Sequence, residues 1–492
     1  MGSLDAIQQL TKAIEAGNYD AAPSTLTQGG ALQIEDLSAA MNNITFENTH
    51  IKLQKMITVT SCKSTLAQFD RQLSYGIFGG GAQMEGSVGQ EETSDFVRIT
   101  VPMAFYSHTR RVTIASTMVA TVDGKKSDER AASDAAIKLA GDIEFDLFRG
   151  MDDFSNAGVF DGNPNSTAAL PNIHGLGLQI RQSDFQVNAR DQMFSEFGSD
   201  DSVVISVGGT LTQSVVEDAA VRSALNFGVA NRLMVDPIVL SEYNKLVYGK
   251  ERIILAGSPQ DALGGDIRKQ WVSGGTVNIE ASQFLRGKSK PSRPRANSNA
   301  PIAPTFTLAQ TGSTAGTTLA AVIYYYYVSA ANEIGESVLS GMVPTQSGTG
   351  GGGVGSSAAA LVLGDKVTLT ITTGGGTDRY YNVYRGLTAS TSKFIGRVMR
   401  AASSTTTFVD LGNKLPGSVT GILVQGDTME IKELAPYSRI KLAVTDLSQP
   451  EGHFRFLCLA STQPRKNVVV ANLAGTYSGS YTNTYTTYLQ SQ

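Results

Sequence analysis

Lys125 to Phe154 is the stretch that most limits what this chain can fold into. Ser127 is placed as an N-cap, and Asp128 and Glu129 fall in the first turn, where the helix dipole favours acids. Ala132, Ala136, Leu139, Ala140, Ile143 and Leu147 recur at spacings of three and four, which predicts one apolar stripe. Asp134, Lys138, Asp142 and Asp146 occupy other faces. At ~1.5 Å per residue such a helix is roughly 40 Å long. That is too long for one small core, so other elements must lie along it. Alone, the pattern describes an ordinary amphipathic helix, and the flanking sequence narrows the reading.

Upstream, residues 1–50 carry two short helical patches, near Met1–Gly17 and Ile34–Met41, around a Gly/Pro/Thr loop. They hold too few large apolar residues for a core and read as an arm. From His50 to Val122 the pattern turns to strands. Met56–Thr60 and Val97–Val101 alternate, and Val112–Val122 is a long extended run. Between the first two lies a glycine-rich acidic tip, Gly76 to Asp95, with Glu91 and Glu92 in it. Two extended segments joined by such a tip predict a protruding β arm that rests on a neighbour.

Downstream, Asn156–Leu170 is a loop. Leu211–Ala230 is read as a helix with Val215, Ala219, Val221, Arg222, Leu225 and Val229 near one face. Arg232–Leu240 is read as a buried strand, Ser241–Val247 as a short helix and Val272–Phe284 as a strand and turn. Arg286–Arg295 holds five basic residues and two prolines and reads as a solvated linker. An anionic-surface contact is the alternative. Residues 301 to about 422 show strand patterns only, at Ala321–Ala330, Lys366–Thr372, Tyr380–Arg385, Lys393–Val398 and Thr407–Leu411, separated by Gly-rich turns. That is the signature of a small β-sandwich. Residues 428–492 return to mixed strands, including 465–473, and a Tyr/Thr-rich tail.

The chain offers little that carries chemistry. The four histidines, His50, His108, His174 and His453, lack metal-site spacing and read as structural residues. Cys62 and Cys458 belong to no Cys/His cluster, so no zinc site is indicated and a reducing compartment is favoured. There is no phosphate loop, dinucleotide fingerprint or nucleophile elbow. Acidic pairs such as Glu91/Glu92, Asp152/Asp153 and Asp200/Asp201 read as solvated faces, with a catalytic or metal role left open. No catalytic residue, cofactor or metal is nominated, and the chain is not expected to be an enzyme. A net charge of −4 gives no footprint for tight nucleic-acid binding. Only 17% of residues are charged and 51 are glycine, which suits a β-rich protein with extensive subunit contacts. No secretory signal or ~20-residue apolar run is seen, so the chain is expected to be made in a cytoplasm and to avoid membranes.

The order of parts resembles the major capsid proteins of tailed bacteriophages, the Hong Kong 97 fold. The resemblance implies an α+β fold with an N-terminal arm (1–50), an extended β loop (51–124), a spine helix (125–155) and a peripheral/axial α/β region (156–295). An inserted sandwich (296–425) precedes returning strands and a tail (426–492). Leu233–Tyr243 looks like the axial-domain strand and following helix. The insert resembles an immunoglobulin-like or fibronectin-type domain. Tyr325–Ser337 is similar to strands F and G, Val367–Ile371 to B, Tyr381–Gly386 to C and Thr407–Gly412 to E. The F-like segment comes first, so the domain looks circularly permuted, with Gly348–Gly355 as the bridge.

What the resemblance implies is a shell subunit in hexamers and pentamers, built in a host bacterial cytoplasm and resident in the virion. Portal and scaffold or decoration proteins are its expected partners. It would enclose double-stranded DNA without sequence-specific binding, and the insert would face outward, where it touches host surface glycans. Asp134, Asp142 and Asp146, with Glu91, Glu92, Arg110 and Arg111, are the candidate subunit-interface residues. A phage-tail or bacterial-surface adhesin and an encapsulin-like compartment shell are the competing readings.

Overall fold

The computed structural model describes residues 47–76, 82–89, 91–118, 126–148, 173–181, 203–248, 268–285 and most of 301–475. The expected N-terminal arm, the 156–170 loop, the 286–295 linker and the C-terminal tail lie outside these residues. The fold is α+β.

Its centre is a six-stranded sheet formed by β5 (Val204–Gly209), β6 (Arg232–Val235), β7 (Lys269–Val272), β8 (Gly275–Ala281), β18 (Val419–Val424) and β21 (Val468–Leu473), in the order β5-β21-β18-β6-β8-β7. Alternation along each strand divides the side chains between two cores. Met234, Ile422, Val424, Val469 and Ala471 face one core with Leu139, Ile143, Leu147 and Phe148 of the long helix α3 (Ser127–Phe148) and with Leu176 and Ile180 of α4 (Leu176–Arg181). Leu233, Val235, Leu423, Val468 and Val470 face the other, under α5 (Gln213–Leu225) and α6 (Pro237–Tyr248). The result is a helix–sheet–helix stack. Each fully buried Leu, Ile or Phe on α3 contributes about 1.5–3 kcal/mol.

A second sheet has the order β1-β19-β20-β4, with β1 (Thr58–Ser61), β4 (Ala104–Thr113), β19 (Met429–Lys441) and β20 (Ser448–Ser461). Before β1, Leu53–Met56 makes one helical turn, α1. The hairpin β2 (Leu66–Ser74) with β3 (Asp95–Pro102) is separate, and its register runs from Leu66 opposite Pro102 to Ser74 opposite Asp95.

Residues 305–410 form two further sheets. One contains β9 (Thr305–Thr311), β13 (Gly351–Gly352), β14 (Lys366–Thr372) and β17 (Thr405–Asp410), in the order β13-β9-β14-β17. The other has β10 (Tyr325–Asn332), β11 (Gly335–Glu336), β12 (Val343–Pro344), β15 (Tyr380–Gly386) and β16 (Lys393–Met399). Its order is β11-β10-β15-β16, and β12 also pairs with β10. The two sheets share one core, including Phe306, Leu308, Tyr326, Val328, Leu369, Ile371, Val383 and Phe408. A buried ion pair ties them together. Arg385 Nη1 lies 2.6 Å from Asp410 Oδ2, which also accepts from the Tyr326 hydroxyl at 2.8 Å.

By its internal contacts the chain divides into two compact units, and residues 109–135 with 441–451 belong to the smaller one. Within it, Ile114 N donates to Leu447 O at 3.0 Å and Leu442 N to Pro450 O at 2.9 Å.

Several sequence expectations change. The extended run expected to Val122 stops at Thr113, because Ile114–Thr117 is helical (α2). Ser116 Oγ and Thr117 Oγ1 donate to local carbonyls at 2.8 and 2.7 Å, which competes with a strand ladder. Ser127 is the first helical residue, and its hydroxyl donates to Ser116 O at 2.8 Å. The partner of β3 is Leu66–Ser74, and Thr58–Ser61 pairs with β19 instead. Arg232–Leu240 divides at Asp236. Asp236 Oδ1 accepts from Ile238 N at 2.6 Å, and Pro237 opens a helix, the position proline favours. On α5 the buried residues are Val216, Ala219, Ala220 and Ser223, while Val221, Leu225 and Val229 are exposed. The 296–425 boundary is also too long. β18 lies between β21 and β6 in the central sheet, so the sandwich ends near Asp410.

Candidate functional site

The groups singled out on the long helix lie along a seam with strand β4. Tyr106 and His108 are two residues apart on β4, about 6.8 Å. Asp142 and Asp146 are four residues apart on α3, about 6 Å. The matched spacings make two rungs. His108 Nε2 lies 2.7 Å from Asp142 Oδ2, and the Tyr106 hydroxyl donates to Asp146 Oδ2 at 2.8 Å. Lys138 Nζ adds a bond of 2.9 Å to Asp142.

The two carboxylates diverge in acidity. At Asp142 burial acts to raise the pKa, but His108 and Lys138 outweigh it and hold the group below its ordinary value. At Asp146 burial dominates. The Tyr106 bond opposes it and the neighbouring Asp142 charge adds to it, so the carboxyl is pushed up to about 7.

Glu144 points to another side of the helix and anchors α1. Its Oε1 accepts from Lys52 N at 2.9 Å and Leu53 N at 2.6 Å, and its Oε2 accepts from Gln54 N at 3.0 Å. These are the orphan donors of a helix start, satisfied from 90 residues away in sequence. Burial raises its pKa against the pull of those donors. Gln54 Nε2 donates to Ala140 O at 2.7 Å, and Arg455 Nη1 donates to Gln54 Oε1 at 3.0 Å. Arg455 Nε also pairs with Glu433 at 2.6 Å.

Arg71 anchors the β2–β3 hairpin by donating to Ser461 O and Thr462 O, both at 2.9 Å. Burial and the charge of Arg465 lower its pKa to about 10. The far end of the hairpin is different. Tyr75, Met84, Val88 and Phe96 are exposed, as are Glu91 and Glu92. Gly76 has φ +118°, and a Cβ there would meet the Glu92 carboxylate.

The seven candidate residues are therefore not equivalent. Asp142 and Asp146 are held within the protomer. Asp134 lies 3.3 Å from Arg130 on a solvent-facing turn. Glu91 and Glu92 stand near the hairpin tip. Arg110 is half-buried and Arg111 exposed on β4. Sequence reasoning missed Glu144, Tyr106 and Arg71. The one available signal was a carboxylate, Glu144, beside the apolar stripe at Ile143 and Leu147. The arrangement fastens strand β4 and a helical turn to one helix, and the hairpin to the end of β20. Among the described residues no three His, Cys, Asp or Glu side chains gather as metal ligands, and no helix is long and apolar enough to cross a membrane.

No protein-family model matches the chain. Over 246 residues, 50% of this chain and 47% of each relative, it is 23% identical to the major capsid proteins of Staphylococcus phages K, S25-3 and S25-4. The chain spans about half the length of the curated relatives it matches. Among solved structures it is similar to the capsid of a native GTA particle, with TM-score 0.44 and 9% identity over 93% of this chain and 100% of that one. The mature capsid of bacteriophage PhiM1 gives TM-score 0.39 and 10% identity, again over 93% and 100%. The relatives carry the description that the order of elements suggested from the sequence.

Proposed function

We propose that this chain is a shell-forming major capsid protein of the Hong Kong 97-like type, without enzymatic activity. The observation that carries the reading is the relation of half the chain to curated major capsid proteins. The order of elements supports it: a hairpin with an exposed acidic and apolar tip, then a long helix to which strand β4 is fastened, then a three-layer block. Many copies, each making moderate contacts, close by symmetry into a shell. The hairpin supplies contacts to neighbours, and interfaces above about 1,000 Å² are expected. Double-stranded DNA is enclosed without sequence-specific binding, and portal and scaffold or decoration proteins complete the particle in the host cytoplasm.

The 305–410 sandwich is read as an outward-facing immunoglobulin-like decoration domain that touches host glycans. Its pairings support the permuted order. The F-like β10 pairs with the C-like β15, and the B-like β14 pairs with the E-like β17. Negative-stain microscopy of the purified full chain tests the central reading. Closed particles are expected; a persistent monomer, or fibres without closed particles, would sink it.

A further inference from the structure

The end of strand β21 is bent and held against the base of the sandwich. Asn472 is left-handed, at φ 59°, and sits where the register with β5 slips between Ala471 and Leu473. Its side chain gives the strain a purpose. Nδ2 donates to Asn413 O and Oδ1 accepts from Leu415 N, both at 2.8 Å. Residues 411–418 are the segment that leads from β17 into β18. Gly475 packs on the same segment so closely that a Cβ there would lie 2.6 Å from Gly417 O and 3.0 Å from the Val419 side chain. Gly417 N in turn donates to Phe394 O of β16 at 2.7 Å. Past Gly475 the chain therefore continues from a point that Gly417 alone separates from β16.

β16 is the last strand of its sheet, whose order is β11-β10-β15-β16. Phe394 pairs with Tyr384 and turns its carbonyl away from β15, toward Gly417. Bonding alternates along an antiparallel ladder. Met399, opposite Tyr380 four residues along β15, therefore turns its N–H and C=O the same way. Among the described residues no strand lies beyond that edge. The outer edge of β17 differs, because just past its end Leu411 O accepts from Thr318 N at 2.8 Å, so the base of that edge is taken.

The sequence after Gly475 has what such an edge accepts. Tyr477, Tyr481, Tyr485 and Leu489 share one face of an extended chain, and Ser478, Ser480, Thr482, Thr484 and Thr486 share the other. Tyr and Thr favour strands, and the run holds no charged residue and no proline. A neutral alternation of this kind pairs with other chains unless it is given a partner. We propose that Tyr477–Thr482 adds to β16 as an edge strand alongside Ile395–Met399, within the same protomer. It starts at the Phe394 end and runs toward Met399, so it is parallel to β16, and five residues cover about 17 Å. Ile395 and Val398 are already buried on the core side. The tyrosines take the other face, where Arg397 lies over Tyr380 at 4.2 Å and Phe394 stands edge-on to Tyr384 at 5.9 Å. The added strand closes the open edge and gives the sandwich a third connection to the central sheet, besides its two chain ends.

A chain ending at Gly475, compared with the full chain by hydrogen–deuterium exchange and mass spectrometry, tests the strand. The Met399 amide, isolated by overlapping peptides, should exchange at least about ten-fold faster without residues 476–492, while β14 stays unchanged. Ser478→Pro with Tyr481→Pro places proline on both alternations, so one of the two removes a donor that faces β16. This full-length variant should reproduce the effect, and it decides the matter if the shortened chain does not fold. Protection of Met399 in the full chain should be equal at concentrations below and above those at which it self-associates. Met399 exchange unchanged in the proline variant overturns the added strand. Protection that appears only on self-association means that a second copy supplies the strand, and overturns pairing within a protomer. Protection lost equally at Met399 and in β14 means that the segment supports the whole sandwich, and overturns its assignment to the β16 edge.

Discussion

Replacing Asp146 by Asn should change how the protomer's stability depends on pH. Asp146 is pushed up to about 7 from an ordinary 3.8, chiefly by burial. A carboxyl raised on folding binds more protons in the native state, so its contribution is fully present below the unfolded value and is lost as pH rises through about 7. The full difference corresponds to at most about 4 kcal/mol. The side chain keeps some contact with water, so ~2 kcal/mol is the expected loss at pH 8. Asn keeps an acceptor for the Tyr106 hydroxyl and removes the charge. Urea unfolding of the unassembled protomer at several pH values between 5 and 8 gives the comparison. Asp146→Asn should lead by less than ~1 kcal/mol at pH 5, where loss has only begun above the unfolded value, and by ~2 kcal/mol at pH 8. The difference between the curves is the quantity to read, because His174 acts in the opposite sense. Burial holds His174 at about 4, below its ordinary 6.5, so its contribution is present above that value and lost as pH falls toward about 4. Asp142, held low, acts only further into acid. Both effects are common to the two proteins and cancel. Parallel curves from pH 5 to 8 would refute the reasoning.

Glu144→Ala should cost about 3 kcal/mol in a urea titration, because three backbone donors lose a charged acceptor; Glu144→Gln should cost less. Removing the sandwich should leave a folding protein only if β18 is kept. Its strands enter at Thr305 and leave at Asp410 at opposite ends of β14, so replacing 303–411 needs a bridge of about eight residues. Deletion of 301–422 should give insoluble protein, because the buried Val419 and Ile422 of β18 go with it. Asp134→Lys should change protomer stability by less than about 1 kcal/mol, since its pair with Arg130 is a surface one. If Asp134 faces a neighbour's arm, particle yield measured by sedimentation falls; unchanged yield removes it as an interface residue.

The long helix was legible because its stripe of Ala136, Leu139, Ala140, Ile143 and Leu147 repeats over several turns. The sandwich was legible because its strands alternate between glycine-rich turns. Short apolar runs were the places where reading failed. Leu233–Leu240 looks continuous, and only Asp236 followed by Pro237 marks the change from strand to helix. β2 was hidden by Asp70 and Arg71 inside an alternating run, although Asp70 pairs with Arg98 across the hairpin at 2.8 Å. β18 was assigned to the sandwich because nothing in its composition differs from the strands before it. Its partners, β6 and β21, are distant in sequence. Glu144 illustrates the general limit. Its role depends on three backbone groups 90 to 92 residues away, and no local pattern encodes that. The face read from the sequence for Leu211–Ala230, with Val221, Leu225 and Val229 near it, is not the one the fold buries, which is set by Val216, Ala219 and Ala220.

The division of labour between charge and apolar surface leads to a last prediction. Asp142 and Asp146 are spent inside the protomer, on His108, Lys138 and Tyr106, and Glu144 on α1. What the hairpin tip leaves for a neighbour is apolar, Tyr75, Met84, Val88 and Phe96, with the exposed acids Glu91 and Glu92 beside it. Exposed ion pairs contribute only ~0–1 kcal/mol each, whereas a buried aromatic contributes about 1.5–3 kcal/mol. The apolar groups should therefore set how firmly copies hold together, and the charges how quickly they meet. Charges act over about 10 Å at 0.1 M salt and about 3 Å at 1 M. Raising salt across that range should slow assembly, followed by light scattering, several-fold while leaving the final particle yield nearly unchanged. If yield falls in step with rate, the contact is held by charge, and the apolar tip is not what secures it.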